Sequence, residues 1–174
     1  MNGSREVSKS AKDIRVVPIA EQHIEGFHQC LDSVARERRY LGFLEAPPLE
    51  SARQFVQSNI ASGVSQFVAL DGERVVGWCD ISPSRRQGFA HCGELGMGVR
   101  KGFRRLGIGT RLIERTIADA KEKGLERIEL EVYASNTAAI VLYEKMGFVV
   151  EGVKRRARKL DGVYDDLVCM ALFI

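Results

Sequence analysis

The sequence predicts one mixed α/β (α+β) domain over residues 13–174, preceded by a polar tail at residues 1–12 that is expected to be disordered. Three observations predict it. Strand-like and helix-like periodicities interleave in the order β-α-α-β-β-β-α-β-α-β-β. Two Asp-Gly pairs, Asp71-Gly72 and Asp161-Gly162, mark tight turns beside apolar runs. The chain of 174 residues has no internal repeat and no low-complexity linker, which suits one domain.

Ile14 to Ile19 alternates apolar and polar residues as a first strand. From Glu21 to Val34, the residues Ile24, Phe27, Cys30, Leu31 and Val34 recur at helical spacing. The segment Tyr40 to Pro48 breaks that pattern, because Pro47-Pro48 cannot continue a helix. Ser51 to Ala61 is a second amphipathic helix with Phe55, Val56 and Ile60. Gln66–Leu70 and Arg74–Ile81 flank Asp71-Gly72 as a hairpin, since both turn centres accept positive φ. A strand over about Ala90 to Val99 leads into a glycine-rich stretch. Ile108 to Lys123 then presents Ile108, Leu112, Ile113, Thr116, Ile117 and Ala120 on one face, and Gly124 stops that helix. Arg127 to Val132 alternates strictly, as a half-buried strand does. Asn136 to Met146 is a short helix ended by Gly147. Phe148–Val153 and Val163–Leu172 are the last strands, joined through a basic stretch and Asp161-Gly162.

With 45% hydrophobic and 28% charged residues, the composition is that of an ordinary globular protein. A net charge of +3 does not call for nucleic acid. No apolar run approaches the ~18 residues of a membrane span, and the N-terminus lacks the apolar core of a secretory signal. The four cysteines, Cys30, Cys79, Cys92 and Cys169, form no C-x-x-C pair and no zinc spacing with a histidine. Cys79, Cys92 and Cys169 lie in strand-like segments and read as small buried thiols, which fits a reducing cytoplasm. His23 and His28 are five apart on a helix and share no face, so no metal is expected. His91 begins a strand and reads as a surface or capping residue.

The chemistry concentrates between Gly98 and Ile113. A strand feeds a basic loop, and Gly107 and Gly109 open a helix whose free N–H groups and dipole form a positive concavity. Glycine lets the backbone approach a phosphate closely, and Arg104 and Arg105 add full charges. Two familiar phosphate loops do not fit. Gly102 and Gly107 have P-loop spacing, but Ile108 stands at the lysine position. Gly107-Ile-Gly109 lacks the third glycine of a dinucleotide fingerprint.

Arg104-x-x-Gly107-x-Gly109 resembles the R/Q-x-x-G-x-G/A signature of the GNAT acetyltransferases. Leu130-Glu-Val-Tyr-Ala-Ser-Asn136, then Ala139, then Leu142-Tyr-Glu-Lys-Met-Gly-Phe148 resembles that superfamily's next motif, in the right order. The resemblance runs from about Ile14 to the C-terminus and is strongest between Glu94 and Phe148. It implies a central, mostly antiparallel sheet of six to seven strands flanked by about four helices. It implies an N-acetyltransferase that moves acetyl from acetyl-CoA to a primary amine. It places the CoA pyrophosphate on the backbone of Arg104, Arg105, Leu106, Gly107, Ile108, Gly109 and Thr110. The pantetheine arm would run along Met97, Gly98 and Val99, with Asn136 bonding it. Tyr143 would lie near the thioester sulfur and protonate the leaving thiolate.

The chemistry supports those roles. An oxyanion develops as the amine attacks, and a backbone N–H at Met97 to Val99 could stabilise it. A phenol of pKa ~10 can donate to a thiolate. A lysine-like amine of pKa ~10.4 is about 3 units from neutral at pH 7, and an α-amine of pKa ~8 only about 1. A base therefore matters more for the first. Glu94 and Glu131, on neighbouring strands, are the candidates, and each could equally be an outward strand residue. Tyr40, Phe43 and Glu45, by position, could contact the acceptor or fill the core.

No cysteine is placed as an acyl carrier, so direct attack in a ternary complex is expected. The run Lys154-Arg-Arg-Ala-Arg-Lys159 is either a solvated strand end or a contact for an anion, such as the CoA 3′-phosphate, an acidic peptide or ribosomal RNA. A non-catalytic acyl-CoA-binding or sensory module, and a ribosome-associated protein N-terminal acetyltransferase, are the alternatives. The last strands could pair across a homodimer.

Overall fold

The computed structural model describes residues 13–174, so the tail expected over residues 1–12 lies outside the described residues. Seven strands form one sheet: β1 (Ile14–Pro18), β2 (Ser65–Asp71), β3 (Arg74–Pro83), β4 (Cys92–Val99), β5 (Arg127–Tyr133), β6 (Val149–Leu160) and β7 (Val163–Phe173). Their spatial order is β1-β2-β3-β4-β5-β7-β6. Every neighbouring pair is antiparallel except β4 and β5, which run parallel. Four helices cover the sheet: α1 (Ile24–Ala35), α2 (Leu49–Ala61), α3 (Ile108–Glu122) and α4 (Thr137–Lys145). None of the described helices is long and apolar enough to cross a membrane.

Strand alternation divides the core in two. Cys79, Ile81, Leu95, Ile128, Leu130 and Val132 pack with Ile108, Leu112 and Ile113 of α3 and with Tyr143 of α4. On the other face, Val68, Leu70, Val75 and Trp78 pack with Ile24, Phe27, Cys30 and Val34 of α1 and Val56 of α2. Residues between the first set, namely Glu94, Gly96 and Gly98 of β4 and Glu129, Glu131 and Tyr133 of β5, therefore belong to the α1/α2 face.

Gly98 is a packing requirement as well as a loop residue. Trp78 lies opposite it on β3, and a Cβ on Gly98 would stand 2.2 Å from the indole Cη2 and 2.5 Å from Cζ3. The indole cannot step aside freely, because Phe27 meets it edge-on with ring centres 5.8 Å apart. Gly98→Ala is expected to lower stability by about 1–3 kcal/mol through overpacking. Trp78 is the single tryptophan of the chain, so urea unfolding followed by its fluorescence reads the effect at the site of change.

The structure corrects three expectations. β4 begins at Cys92 instead of Ala90: residues Gln87–Phe89 form a 3-10 turn, and the His91 carbonyl accepts from the N–H groups of Glu126 (2.9 Å) and Arg127 (3.2 Å). The basic stretch is not a connection, because β6 continues through it to Leu160. β7 is long enough to pair Arg158, Lys159 and Leu160, and an irregularity between Lys154 and Arg158 absorbs the extra residues. There Arg156 takes φ 53° and its N–H donates to the Asp166 carboxylate at 2.7 Å. Cys169 is half-buried, because its β7 position faces Glu131 on the open side of β5 instead of the α3 core.

Candidate active site

The turn between β4 and α3 is built as the spacing predicts. After a 3-10 turn at Lys101–Phe103, Arg105 (φ 64°) and Gly107 (φ 73°) both take left-handed conformations, which reverse the chain tightly. Gly107 is the N-cap of α3 and no side chain caps it, so the amides of the first turn point outward uncapped. The first helical bond runs from Arg111 N–H to Gly107 O at 3.1 Å. Around Gly109 three elements converge: a Cβ there would stand 3.1 Å from Leu142 of α4 and 3.4 Å from Met97 of β4. Leu106 and Ile108 turn back onto the core.

Arg104 departs from the expected role of its side chain. Its guanidinium donates to both carboxylate oxygens of Glu37 (2.9 and 2.5 Å) and to Val99 O (2.8 Å), and stacks 4.6 Å over Tyr40. This half-buried pair fastens the turn to the end of α1. Arg105, within the turn itself, is exposed.

β4 and β5 part beside this turn. They pair only at Cys92/Arg127, Gly93/Ile128 and Glu94/Glu129, after which β5 stays with β7 while β4 stays with β3. The far half of β4, including Met97, Gly98 and Val99, therefore has an edge without a strand on the β5 side. α4 covers the opening from the α3 side. Asn136 caps α4, its side-chain oxygen accepting from Ala139 N–H at 3.3 Å. Tyr143 is 8% exposed and packs on Phe148 with ring centres 5.8 Å apart. Burial, reinforced by Cys79, pushes its phenol well above the ordinary range, so it stays protonated.

The opposite face of the same opening is acidic. Glu94 is exposed and lies beside Glu129, which Arg127 holds at 2.8 Å. Glu131 is exposed too, but Lys154 forms an ion pair with it, which opposes a role as a free base. The basic stretch supplies more internal contacts: Arg158 stacks 4.6 Å over Tyr133 and donates to Arg38 O at 2.7 Å, while Arg156 and Lys159 lie over Tyr164.

The three acceptor candidates separate. Tyr40 packs under Arg104 and against the α1 core. Glu45 is tied to Arg36 at the surface (3.3 Å), and Phe43 is exposed. The segment does border the acidic face, since a Cβ on Gly42 would stand 3.9 Å from the Tyr133 hydroxyl. Among the described residues no group of three or more His, Cys, Asp or Glu could hold a metal ion. His23 accepts from Ala20 N–H at 3.0 Å, and His28 bonds Pro47 O at 2.8 Å.

Sequence reasoning missed Glu37 and Asp80, and the pairing of Lys154 with Glu131. Asp80 had a signal: it is the one carboxylate in the otherwise apolar run Val75 to Ile81. Burial first, then Glu94, raises its carboxyl to about 7, against a smaller lowering by Ser82.

The model of the acetyltransferase (GNAT) family matches residues 29–148. An N-alpha-acetyltransferase of Saccharolobus solfataricus is 36% identical over 123 residues, covering 64% of this chain and 69% of that protein. The L-amino acid N-acetyltransferase of Escherichia coli is 32% identical over 111 residues, covering 63% of this chain and 68% of that protein. Among solved structures, the phosphinothricin acetyltransferase of Sinorhizobium meliloti in complex with acetyl-CoA aligns with a TM-score of 0.87 over 93% of this chain and 89% of that one. At 16% identity, that likeness is one of fold.

Proposed function

Because the chain belongs to the acetyltransferase (GNAT) family and transfers acetyl from acetyl-CoA to an amine, we propose that the gap between β4 and β5 holds the reacting thioester. In this reading residues 13–174 are one acetyltransferase domain. The amides from Arg105 to Thr110 take the CoA pyrophosphate, with Arg105 supplying the mobile charge and Arg104 holding the turn in place. The arm of the cofactor pairs with the open edge of β4 at Met97 to Val99, and an N–H of that edge faces the developing oxyanion. Asn136, its oxygen used in capping α4, offers Nδ2 to the arm. Tyr143 protonates the thiolate from the α4 side. The amine approaches from the acidic α1/α2 face, between Glu94 and the segment around Phe43, and attacks directly.

One observation carries this reading: β4 loses β5 after Glu94 at the point where the uncapped start of α3 faces outward. The names of the two relatives above, one acting on α-amines and one on L-amino acids, support an α-amino acceptor. The test is free-thiol release from acetyl-CoA with a panel of amino acids, N-terminal peptides, polyamines and aminoglycosides. Release is expected with amino acids or N-terminal peptides. Release with polyamines alone would overturn the acceptor assignment, and silence across the panel with acetyl-CoA still bound would favour a binding module.

A further inference from the structure

We infer that Asp80 takes the proton from the acceptor amine, at one end of a row of polar positions that crosses the sheet beneath α2. The inference rests on the placement of thioester and amine given above, and adds a catalytic residue to it.

The row follows from strand register. Gln66 of β2 lies opposite Asp80 of β3, and Asp80 lies opposite Gly96 of β4, so the three positions share the α1/α2 face. Directly opposed positions stand about 4.5–5.5 Å apart at Cβ. Gly96 has no side chain to cover its neighbour: the two Asp80 carboxylate oxygens are 3.5 and 3.6 Å from where its Cβ would be. The next place along the row is the gap that β5 has left. At the other end, Gln66 is 3% exposed and its oxygen accepts from Asn59 Nδ2 of α2 at 2.9 Å. Among the described residues its Nε2 is buried without a partner. A buried amide donor without a partner is expensive as packing alone.

The groups around Asp80 set its behaviour. Glu94 of β4 opposes its ionisation, and Ser82 on its own strand favours it. Gln66 and Asn59 are neutral. From α1 the inward side chains are Ile24, Phe27, Leu31 and Val34, together with Cys30, whose thiol burial pushes up to about 11 and so stays neutral. Asp80 is consequently a base matched to neutral pH. An α-ammonium of pKa ~8 lies about one unit above it, whereas a lysine-type ammonium of ~10.4 lies about three above. The geometry and that match point to an α-amino acceptor.

The step balances. One N–H bond of the ammonium breaks, its electron pair stays on nitrogen, and an O–H bond forms on Asp80. The nitrogen pair then forms the C–N bond to the acetyl carbon while the C–S pair leaves on sulfur. Tyr143 gives its proton to that thiolate, and the second N–H proton, released from the new amide, replaces it.

The test is the pH profile of kcat/KM for Asp80→Asn beside wild type, with an α-amine that wild type acetylates. Expected is a loss of up to about tenfold near pH 7, since roughly one α-amine in ten (pKa ~8) is already neutral there. The loss shrinks toward pH 9, where the amine is neutral unaided, and the acetyl-CoA Kd is unchanged. Folding of the variant is secure on the linkage sign. The Asp80 carboxyl is raised in the folded state, so its contribution to stability is present below its ordinary 3.8 and lost as pH rises through about 7. At pH 8 the variant should therefore melt no lower than wild type. An unchanged rate, or the same loss at every pH, overturns this inference alone. Wild-type silence on the whole amine panel defeats the functional reading, and this inference with it.

Discussion

Tyr143→Phe is expected to lower turnover by about 10²-fold or more, the usual scale for losing a general acid, with little change in acetyl-CoA affinity. The ring stays: its contact with Phe148 at 5.8 Å and its place in the α3/α4 core do not depend on the hydroxyl. Only the proton donor is removed. Burial holds the phenol far above its ordinary value, so wild-type activity should show no fall on the alkaline side from Tyr143 itself below about pH 10. Desolvation thus keeps the donor loaded at every working pH. Stability should move little, because the ring is buried and no hydrogen bond to the hydroxyl is lost among the described residues. Single-turnover thiol release at saturating acetyl-CoA is the measurement. A rate equal to wild type would remove Tyr143 from the chemistry and leave it a packing residue.

What the sequence made legible follows from the range of each interaction. Short-range patterns carried the order of elements, the Asp71-Gly72 turn and the Gly107-x-Gly109 helix start, since alternation, turn chemistry and capping are set by residues a few positions apart. The roles of charged side chains were not legible, because their partners are far along the chain. Arg104 reads as a phosphate cation until Glu37, 67 residues away, is brought to its guanidinium by the end of α1. Glu131 reads as a candidate base or an outward strand residue, and its ion pair is invisible until β6 runs on past Val153 and brings Lys154 across β7 to meet it. The basic stretch reads as a solvated strand end or a contact for anions, and its contacts with Tyr133, Tyr164 and the Arg38 carbonyl, made by Arg156, Arg158 and Lys159, are not visible in the sequence. Asp80 marks the boundary between the two kinds of knowledge. A carboxylate in an apolar strand is visible in the sequence, but not the burial and the Glu94 charge that raise it, nor the opening that Gly96 leaves beside it on β4.

The phosphate turn can be separated from its own backbone strain by a matched pair of variants. Gly107 and Gly124 sit at the two ends of α3, both with positive φ (73° and 87°), and among the described residues nothing beyond the chain neighbours lies within 4 Å of a Cβ built on either. Valine at either place meets the same penalty, about 1–2 kcal/mol or more for a branched side chain in the left-handed region. Only at Gly107 does the new side chain stand among the uncapped amides of the helix start, where the pyrophosphate is placed. Gly107→Val is therefore expected to weaken acetyl-CoA binding by about 10²-fold, roughly 2.7 kcal/mol. Gly124→Val should lose comparable stability and keep its affinity. Calorimetric titration with acetyl-CoA, with melting measured on the same samples, separates the two effects. Equal affinities for the two variants would mean that the turn shapes the fold without gripping the cofactor, and the pyrophosphate would then have to be sought among Arg74, Arg100 and Lys101. Those cations line the neighbouring cavity of about 400 Å³ with Gly102 and Phe103, close enough to the turn for a displaced phosphate to be held there.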